Sequence, residues 1–325
     1  MKKLKVGVVG VGYFGSFHAE KYAKIPQVEL VGVADINEAR AQEVADNFST
    51  RPYVDYKDLF DKIQAVSIAV PTPIHYEVAR DFIDHGIDVL LEKPMTATLE
   101  QAEALVEVAE NRERILQIGH LERFNSAVFA LNGLLGDPLF IDSIRFSPFL
   151  ERASNVDVVL DLMIHDIDLI LSIVQSEVTS ISAVGVQVIS SYLDIANARV
   201  EFQNGCTANI TASRVSDKKM RQIRIFQDNG YITIDFLSHR MRVHRKEKDS
   251  LGPKVVSEEI TMPPTDALEG EIHSFIEKVR DRTDPLVSGR NGKRALEVAL
   301  SITQQIQKNM GRRKDPDSLH VSKGE

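Results

Sequence analysis

Leu4-Lys5-Val6-Gly7-Val8-Val9-Gly10-Val11-Gly12-Tyr13-Phe14-Gly15 runs from an apolar, β-branched stretch straight into three closely spaced glycines. Residues 4–9 read as a fully buried strand, and 13–24 read as the helix that follows it. At such a junction Gly10 permits the tight turn, and Gly12 lets the backbone approach a pyrophosphate. Gly15 lets helix and strand pack closely, while Tyr13 and Phe14 fill the remaining positions beside the ligand. The N–H groups at the start of the helix then face the phosphates. A glycine turn alone is a weak signal. Here the next apolar run, 28–34, ends at Asp35, about 20 residues beyond Gly15, where an acid bonds the hydroxyls of an adenosine ribose. A carboxylate there repels a 2′-phosphate. Ile36 and Asn37 offer no cation to offset it, and Arg40 could contribute only by folding back. NAD is therefore favoured over NADP.

Working outward, the apolar runs 65–70, 87–91 and 114–119 alternate with helical patterns at 37–47, 73–85 and 98–111. Short β-branched runs between helices predict a doubly wound parallel sheet with right-handed crossovers, a Rossmann α/β domain ending near residue 120. The pattern then changes. A helical stretch at 122–134 precedes a strand at 138–149 and a helix at 157–174 that is apolar nearly all round. Runs at 180–189, 196–203, 206–213, 221–227 and 230–236 read as strands, some joined by turns at Asn204-Gly205 and Asp228-Asn229-Gly230. Strands without intervening helices predict an α+β domain with an open-faced, mainly antiparallel sheet and helices on one side. Helices at 266–281 and 292–309 close it, and a polar tail begins at Gly311. The expected domains are thus 1–120 for the dinucleotide, 121–310 for substrate binding and oligomerisation, and 311–325 as the tail.

The bulk numbers agree. A chain of 325 residues exceeds one compact core. A net charge of -8 argues against a nucleic-acid partner, which needs clustered Lys and Arg. The basic stretch from Arg240 to Lys248 alternates with apolar residues and Glu247, and reads as the solvated face of a strand. One cysteine, Cys206, allows neither an intramolecular disulfide nor a Cys-based metal site. No apolar run reaches membrane-spanning length. The basic-then-apolar start superficially resembles a signal peptide, but its regular glycines fit a buried first strand better, and a cytoplasmic location is expected.

Two further segments lie at carboxyl ends of strands, where open α/β sheets place ligands. These are Val70-Pro71-Thr72-Pro73-Ile74-His75 and Leu91-Glu92-Lys93-Pro94. With the glycine turn and Asp161-Leu162-Met163-Ile164-His165, they make the chain resemble, over nearly its whole length, the glucose–fructose oxidoreductase / inositol dehydrogenase / rhizopine-catabolism family of NAD(P)-dependent oxidoreductases. Oxidising a secondary alcohol requires a group that removes the hydroxyl proton as hydride departs, and a Lys or His of tuned pKa can do so. Asp161 and His165 are i and i+4 on one helical face, so both can point into one cleft. The resemblance implies that Lys93 and His165 polarise and deprotonate the hydroxyl, with either as general base. Asp161 would position the substrate or orient His165. Pro71, Thr72, His75, Glu92 and Lys93 would line the nicotinamide end, with His75 packing there. Asp161 and His165 stand at metal-ligand spacing, but no third ligand accompanies them and no metal is expected. The plainer readings are a surface Lys93 in a turn and a satisfied core histidine at His165. Asp166 and Asp168 read as packing or capping partners.

Within that family, Gly119-His120-Leu121-Glu122-Arg123-Phe124-Asn125 resembles the segment of UDP-N-acetylglucosamine 3-dehydrogenase-like members. The resemblance implies oxidation of the C3 hydroxyl of a sugar nucleotide to a ketone, which a partner aminotransferase converts to an amine. Arg123 or Arg152 would then meet the diphosphate, or else form salt bridges, and Asn125 would contact substrate. A dehydrogenase of a free sugar, inositol or similar polyol is the alternative. A dinucleotide-binding regulator without turnover is a third reading, against which Lys93, Asp161 and His165 weigh. An open sheet leaves a large apolar face, which usually finds a partner, and the family resemblance implies a homodimer or homotetramer.

Overall fold

The computed structural model describes residues 2–149, 156–249 and 252–314. Its first strand, β1 (Leu4–Val9), carries Val6, Val8 and Val9 essentially inaccessible to solvent, as an unbroken apolar run requires. Helix α1 (Tyr13–Lys24) buries Gly15, His18, Ala19 and Tyr22, the i, i+3, i+4, i+7 spacing of one helical face. The chain continues through β2 (Val28–Ala34), α2 (Glu38–Phe48), β3 (Arg51–Tyr53), β4 (Ala65–Ile68), α3 (His75–Asp84), β5 (Asp88–Glu92), α4 (Leu99–Asn111) and β6 (Leu116–Gly119). Helix starts follow capping chemistry: Asn37 accepts from the Arg40 N–H at 3.1 Å, and Thr98 from the Gln101 N–H at 3.3 Å.

These strands form one six-stranded parallel sheet in the order β3-β2-β1-β4-β5-β6. Strand order reverses between β1 and β4, so the switch point stands at the ends of β1 and β4. The sequence missed β3, which is only three residues long and contains Pro52.

The next elements are α5 (Ser126–Phe129), β7 (Pro138–Phe146), α6 (Ile164–Val174), β8 (Val178–Val186), β9 (Ile195–Phe202), β10 (Thr207–Ser213), β11 (Met220–Gln227), β12 (Gly230–Asp235), β13 (Arg240–Asp249) and β14 (Gly252–Thr261), followed by α7 (Ala267–Asp281) and α8 (Gly289–Lys314). Eight strands make the second sheet, ordered β14-β13-β12-β11-β7-β10-β9-β8. Only the β7–β10 pair is parallel. The mainly antiparallel sheet is as expected, and residues 240–249 are one arm of a hairpin whose other arm, β14, the sequence did not reveal. The helix expected at 122–134 is mostly absent. A 3-10 turn at Leu121–Phe124 and the single turn of α5 replace it, and Gly133 at φ +78° lies outside the helical region. Helix α8 extends past Gly311 to Lys314, where the tail was expected to have begun; residues 315–325 lie outside the described residues.

The chain divides into two units, Met1–Asn125 with Thr265–Arg294, and Ser126–Pro264 with Ala295–Glu325. By contacts the first unit runs to Asn125 rather than 120, and α7, expected in the second domain, falls in the first unit. Ile272, Phe275, Ile276 and Val279 of α7 join the core formed by Val6, Val8 and Tyr22. The order of elements along a chain does not reveal such a return. In the second unit, α6 and the later turns of α8 supply Ile167, Ile170, Ala299 and Ile302 to a core with the inner face of the large sheet. Its other face is mixed: Val184, Val186 and Met220 are exposed there and Phe140, Phe226 and Tyr231 stack across neighbouring strands, with polar pairs between them. Arg199 pairs with Glu201, Arg224 with Asp142, and Asn197 donates to Thr211 at 2.8 Å. Alternation in β9 and β10 puts Asn197, Arg199, Glu201 and Thr211 outward.

Candidate functional site

Each glycine of the first turn has a separate steric reason. Gly10 has φ +82°, and a Cβ there would lie 2.7 Å from the backbone at Ala69 and Val70. A Cβ on Gly15 would lie 1.9 Å from the Gly10 carbonyl oxygen, so α1 approaches the end of β1 only because that side chain is missing. Gly12, the N-cap of α1, has nothing within 4 Å of its Cβ position. The middle glycine thus faces open space at a helix N-terminus, as an approaching phosphate requires. Tyr13 and Phe14 are exposed and meet edge to face at 5.6 Å between ring centroids. A cavity of about 500 Å³ beside the turn is lined by Gly12, Tyr13, Ser16 and Arg40. A larger one, about 590 Å³, is lined by Leu4 and Asp88 at the opposite strand ends, remote from the switch point.

Asp35 follows β2 and accepts from the Asn37 N–H at 2.9 Å, which fixes its carboxylate at the start of α2. Arg40 does fold back, its guanidinium 3.9 Å from the second carboxylate oxygen.

After β4, Pro71 and the 3-10 turn Thr72–Ile74 lead into α3, whose first residue is the buried His75. Its Nδ1 lies 2.9 Å from the Pro94 carbonyl and its Nε2 2.7 Å from the Val70 carbonyl. A neutral ring donates to only one of them. Burial nevertheless pushes the His75 pKa down, against the two carbonyls and the charge of Glu92, which act in the other direction. His75 therefore ties the β4 and β5 loops together, consistent with packing rather than chemistry. Lys93 follows β5 directly, half-buried, and its backbone N–H donates to Glu92 Oε2 at 3.3 Å. The Glu92 side chain turns inward, with Oε1 3.0 Å from His18 Nε2 on α1. Burial opposes its charge, but the His18 hydrogen bond, with the charges of His18 and Lys93, outweighs this and holds its carboxyl below the usual range.

The sequence missed both neighbours of Glu92, His18 and Glu271. Glu271 of α7 is wholly buried, and His18, Glu92 and Glu271 place one donor atom each within 4.8 Å of one another. A signal did exist, because Glu271 stands on the stripe of Ile272, Phe275, Ile276 and Val279 that α7 buries. A lone glutamate on such a stripe is costly unless it is neutral or paired.

In the segment after β6, Arg123 donates to the Leu286 carbonyl at 3.4 Å, and Asn125 is almost buried. Arg152 lies outside the described residues. In the second unit, Asp161 and His165 are on one continuous helical run, but not a regular α-helix. Residues Val159–Met163 form a π turn before α6 begins at Ile164. Asp161 is inside that wider turn and His165 in the first α turn, so the regular i, i+4 geometry is corrected here. Such turns are rare and recur at functional sites. His165 is 9% exposed and Asp161 half-buried. Asp166 is anchored beneath by Arg145 of β7, whose Nε donates at 2.6 Å, and by the Ser143 hydroxyl at 3.1 Å. Asp166 is thus a packing partner, as expected.

Residues 4–120 match the model of an oxidoreductase family with an NAD-binding Rossmann fold, Gfo/Idh/MocA, and residues 130–233 match that family's C-terminal domain. The chain belongs to the Gfo/Idh/MocA oxidoreductases. It is 36% identical to the UDP-N-acetylglucosamine 3-dehydrogenase of Acidithiobacillus ferrooxidans, over 94% of this chain and 98% of that one. The structure of that protein superposes with a TM-score of 0.90 at 35% identity, covering 95% and 99% of the two chains. The NAD-dependent scyllo-inositol 2-dehydrogenase of Bacillus subtilis is 26% identical over 95% of each chain. The chain is thus an NAD-binding oxidoreductase with a Rossmann domain followed by the family's C-terminal domain. The first unit fits that cofactor, with open space at Gly12, a φ at Gly10 that excludes other residues, and an anchored carboxylate at Asp35. Among the described residues, no helix is long and apolar enough to cross a membrane.

Proposed function

We propose that this oxidoreductase oxidises the C3 hydroxyl of UDP-N-acetylglucosamine to the 3-keto sugar, using NAD. The observation that carries the reading is the near-complete overlap with the Acidithiobacillus enzyme of that name. The inositol dehydrogenases match at lower identity, which ranks a free polyol second. Gly10, Gly12, Tyr13, Phe14 and Gly15 would hold the pyrophosphate, Asp35 the adenosine ribose, and Pro71, Thr72 and Lys93 the nicotinamide end, with the buried His75 and Glu92 supporting the loops behind it. When bound, the nicotinamide supplies the hydride acceptor. Lys93 and His165 take the hydroxyl proton and hold the oxygen's developing charge, one as base and the other as hydrogen-bond donor. Asp161 orients His165 or the sugar, and Arg123, Asn125 and Arg152 contact the sugar nucleotide. The ketone product suits a partner aminotransferase. A cytoplasmic homo-oligomer completes the reading. Its basis is the family pattern, together with the exposed Val184, Val186 and Met220 on the open sheet face.

The test is NADH formation from NAD with UDP-N-acetylglucosamine, set beside free N-acetylglucosamine and inositols. An added aminotransferase with an amino donor pulls an unfavourable equilibrium forward. Turnover confined to the free compounds would overturn the sugar-nucleotide assignment. For Lys93→Met, turnover should fall at least about a hundredfold while NAD still binds. Undiminished turnover would remove Lys93 from the chemistry.

A further inference from the structure

Glu92 and Glu271 are buried together within the first unit, 8% and 0% exposed. Two adjacent carboxylates shut away from water do not both carry charge. Glu92 has partners suited to a charge, His18 Nε2 at 3.0 Å and the Lys93 N–H at 3.3 Å. Glu271 has none, since both of its carboxylate oxygens are buried without a hydrogen-bond partner. Around it, His18 Nδ1 on α1 and the Gln117 side-chain oxygen on β6 are likewise buried without a hydrogen-bond partner, and the Gln117 oxygen has no proton to give. On α1, the Tyr22 hydroxyl is bonded to Ser67 of β4 at 2.7 Å. On β6, the Gln117 amide donates to the Glu271 backbone carbonyl at 3.1 Å rather than to its side chain. On β6 too, a Cβ at Gly119 would lie 3.0 Å from the Glu92 carboxyl carbon, so the Glu92 carboxylate packs directly against the backbone of β6.

We propose that Glu271 is a positioning residue, a neutral carboxylic acid whose proton is donated to the Glu92 carboxylate, fixing the group that holds the backbone of Lys93. Burial, and then the charge on Glu92, push the Glu271 pKa well up, which agrees with this geometry. The link to turnover rests on Lys93 acting as proposed above. The acid pair itself does not. Its proton stays on Glu271 and makes no covalent step. The competing occupant of the same three donors is a divalent cation, which would require both glutamates ionised.

The decisive measurement is infrared absorption of the full-length protein in mildly alkaline buffer. A protonated-carboxyl C=O band is expected in the wild type and in Lys93→Met, and is lost in Glu271→Gln. Kinetics supply the second arm. Glu271→Leu should lower kcat about tenfold to a hundredfold, as small misplacements of a reacting group do, with the KM for NAD unchanged and the pH profile displaced. Glu271→Gln keeps a donor and no charge, and should restore most of that loss. Absence of the band overturns the proposal, as does one equivalent of metal retained by the purified protein. A Glu271→Leu enzyme with wild-type kcat and pH profile also overturns it. Should Glu271→Leu fail to fold, the band and the Gln variant decide. Undiminished turnover in Lys93→Met would fail the proposed function while leaving the infrared result to judge the acid pair alone.

Discussion

Alanine at Gly12 and alanine at Gly15 should separate cofactor binding from folding within three residues of chain. At Gly15 the new Cβ would sit 1.9 Å from the Gly10 carbonyl oxygen, against an ordinary contact near 3.4 Å, so α1 must move outward by more than an ångström. Overpacking of that kind costs about 1–3 kcal/mol. For a unit of this size each kcal/mol is worth about 2–4 °C, so the first unit's transition should fall by about 2–12 °C. At Gly12 the backbone has φ -69° and nothing lies within 4 Å of the Cβ position, so only the N-cap preference for Gly over Ala is lost, up to about 1 kcal/mol, and the apo protein should melt within about 4 °C of wild type. The methyl group instead occupies the approach to the helix N–H groups. Losing one charge-assisted hydrogen bond there is worth about 1.5–3 kcal/mol, a roughly tenfold to hundredfold rise in the Kd for NAD. Scanning calorimetry of the apo proteins and titration calorimetry with NAD read the two effects apart. A Gly12→Ala protein that binds NAD as tightly as wild type would refute the assignment of this turn to the pyrophosphate.

Three further outcomes are expected. Arg145→Met leaves Asp166 buried and charged beneath the helix that bears His165, and should destabilise by about 3–5 kcal/mol in denaturant unfolding; Arg145→Met with Asp166→Leu should recover most of it. Glu271 has a raised folded pKa, so the native state holds a proton that the unfolded chain releases above about 4.3, and stability falls as pH rises beyond that value. Glu271→Gln removes the term, so its stability relative to wild type should climb with pH by up to about 1.4 kcal/mol per unit; a pH-independent difference would contradict the shift. A fragment of residues 1–125 lacks Ile272, Phe275, Ile276 and Val279, each worth about 1.5–3 kcal/mol on burial, together comparable with the whole stability of a domain. It should show no cooperative melt and no NAD binding, and both should return when 265–294 is joined to it.

How far the sequence could be read depended on whether the deciding interactions were local. Gly10 by its positive φ and Gly15 by the Gly10 carbonyl carry reasons within the turn itself, so that site was legible, as were the apolar runs of β1, β2, β4, β5 and β6; only the approach of Gly10 to Ala69 and Val70 is non-local. Residues 51–53 and 252–261 are strands mainly because a neighbour pairs with them, and both contain a proline that argues against it. The return of α7 to the first unit, and with it the Glu271–Glu92 pair, joins positions about 180 residues apart and has no local trace beyond one glutamate on an apolar stripe. The π turn at Val159–Met163 is likewise invisible in a run of apolar residues whose spacing suits an ordinary helix.

Cofactor choice shows how local anchoring turns a resemblance into a physical reason. A 2′-phosphate could be tolerated at Asp35 if that carboxylate rotated away and Arg40 replaced it. The Asn37 N–H holds the carboxylate at 2.9 Å, and Asn37 in turn caps α2 by accepting from the Arg40 N–H. Rotating Asp35 away therefore disturbs a helix start that is worth about 1 kcal/mol on its own. Arg40 sits 3.9 Å from the carboxylate with its side chain half exposed, close enough to balance one charge yet too loosely held to invite two more. The preference for NAD thus resides less in the presence of an acid after β2 than in the two backbone hydrogen bonds that fix the turn around it.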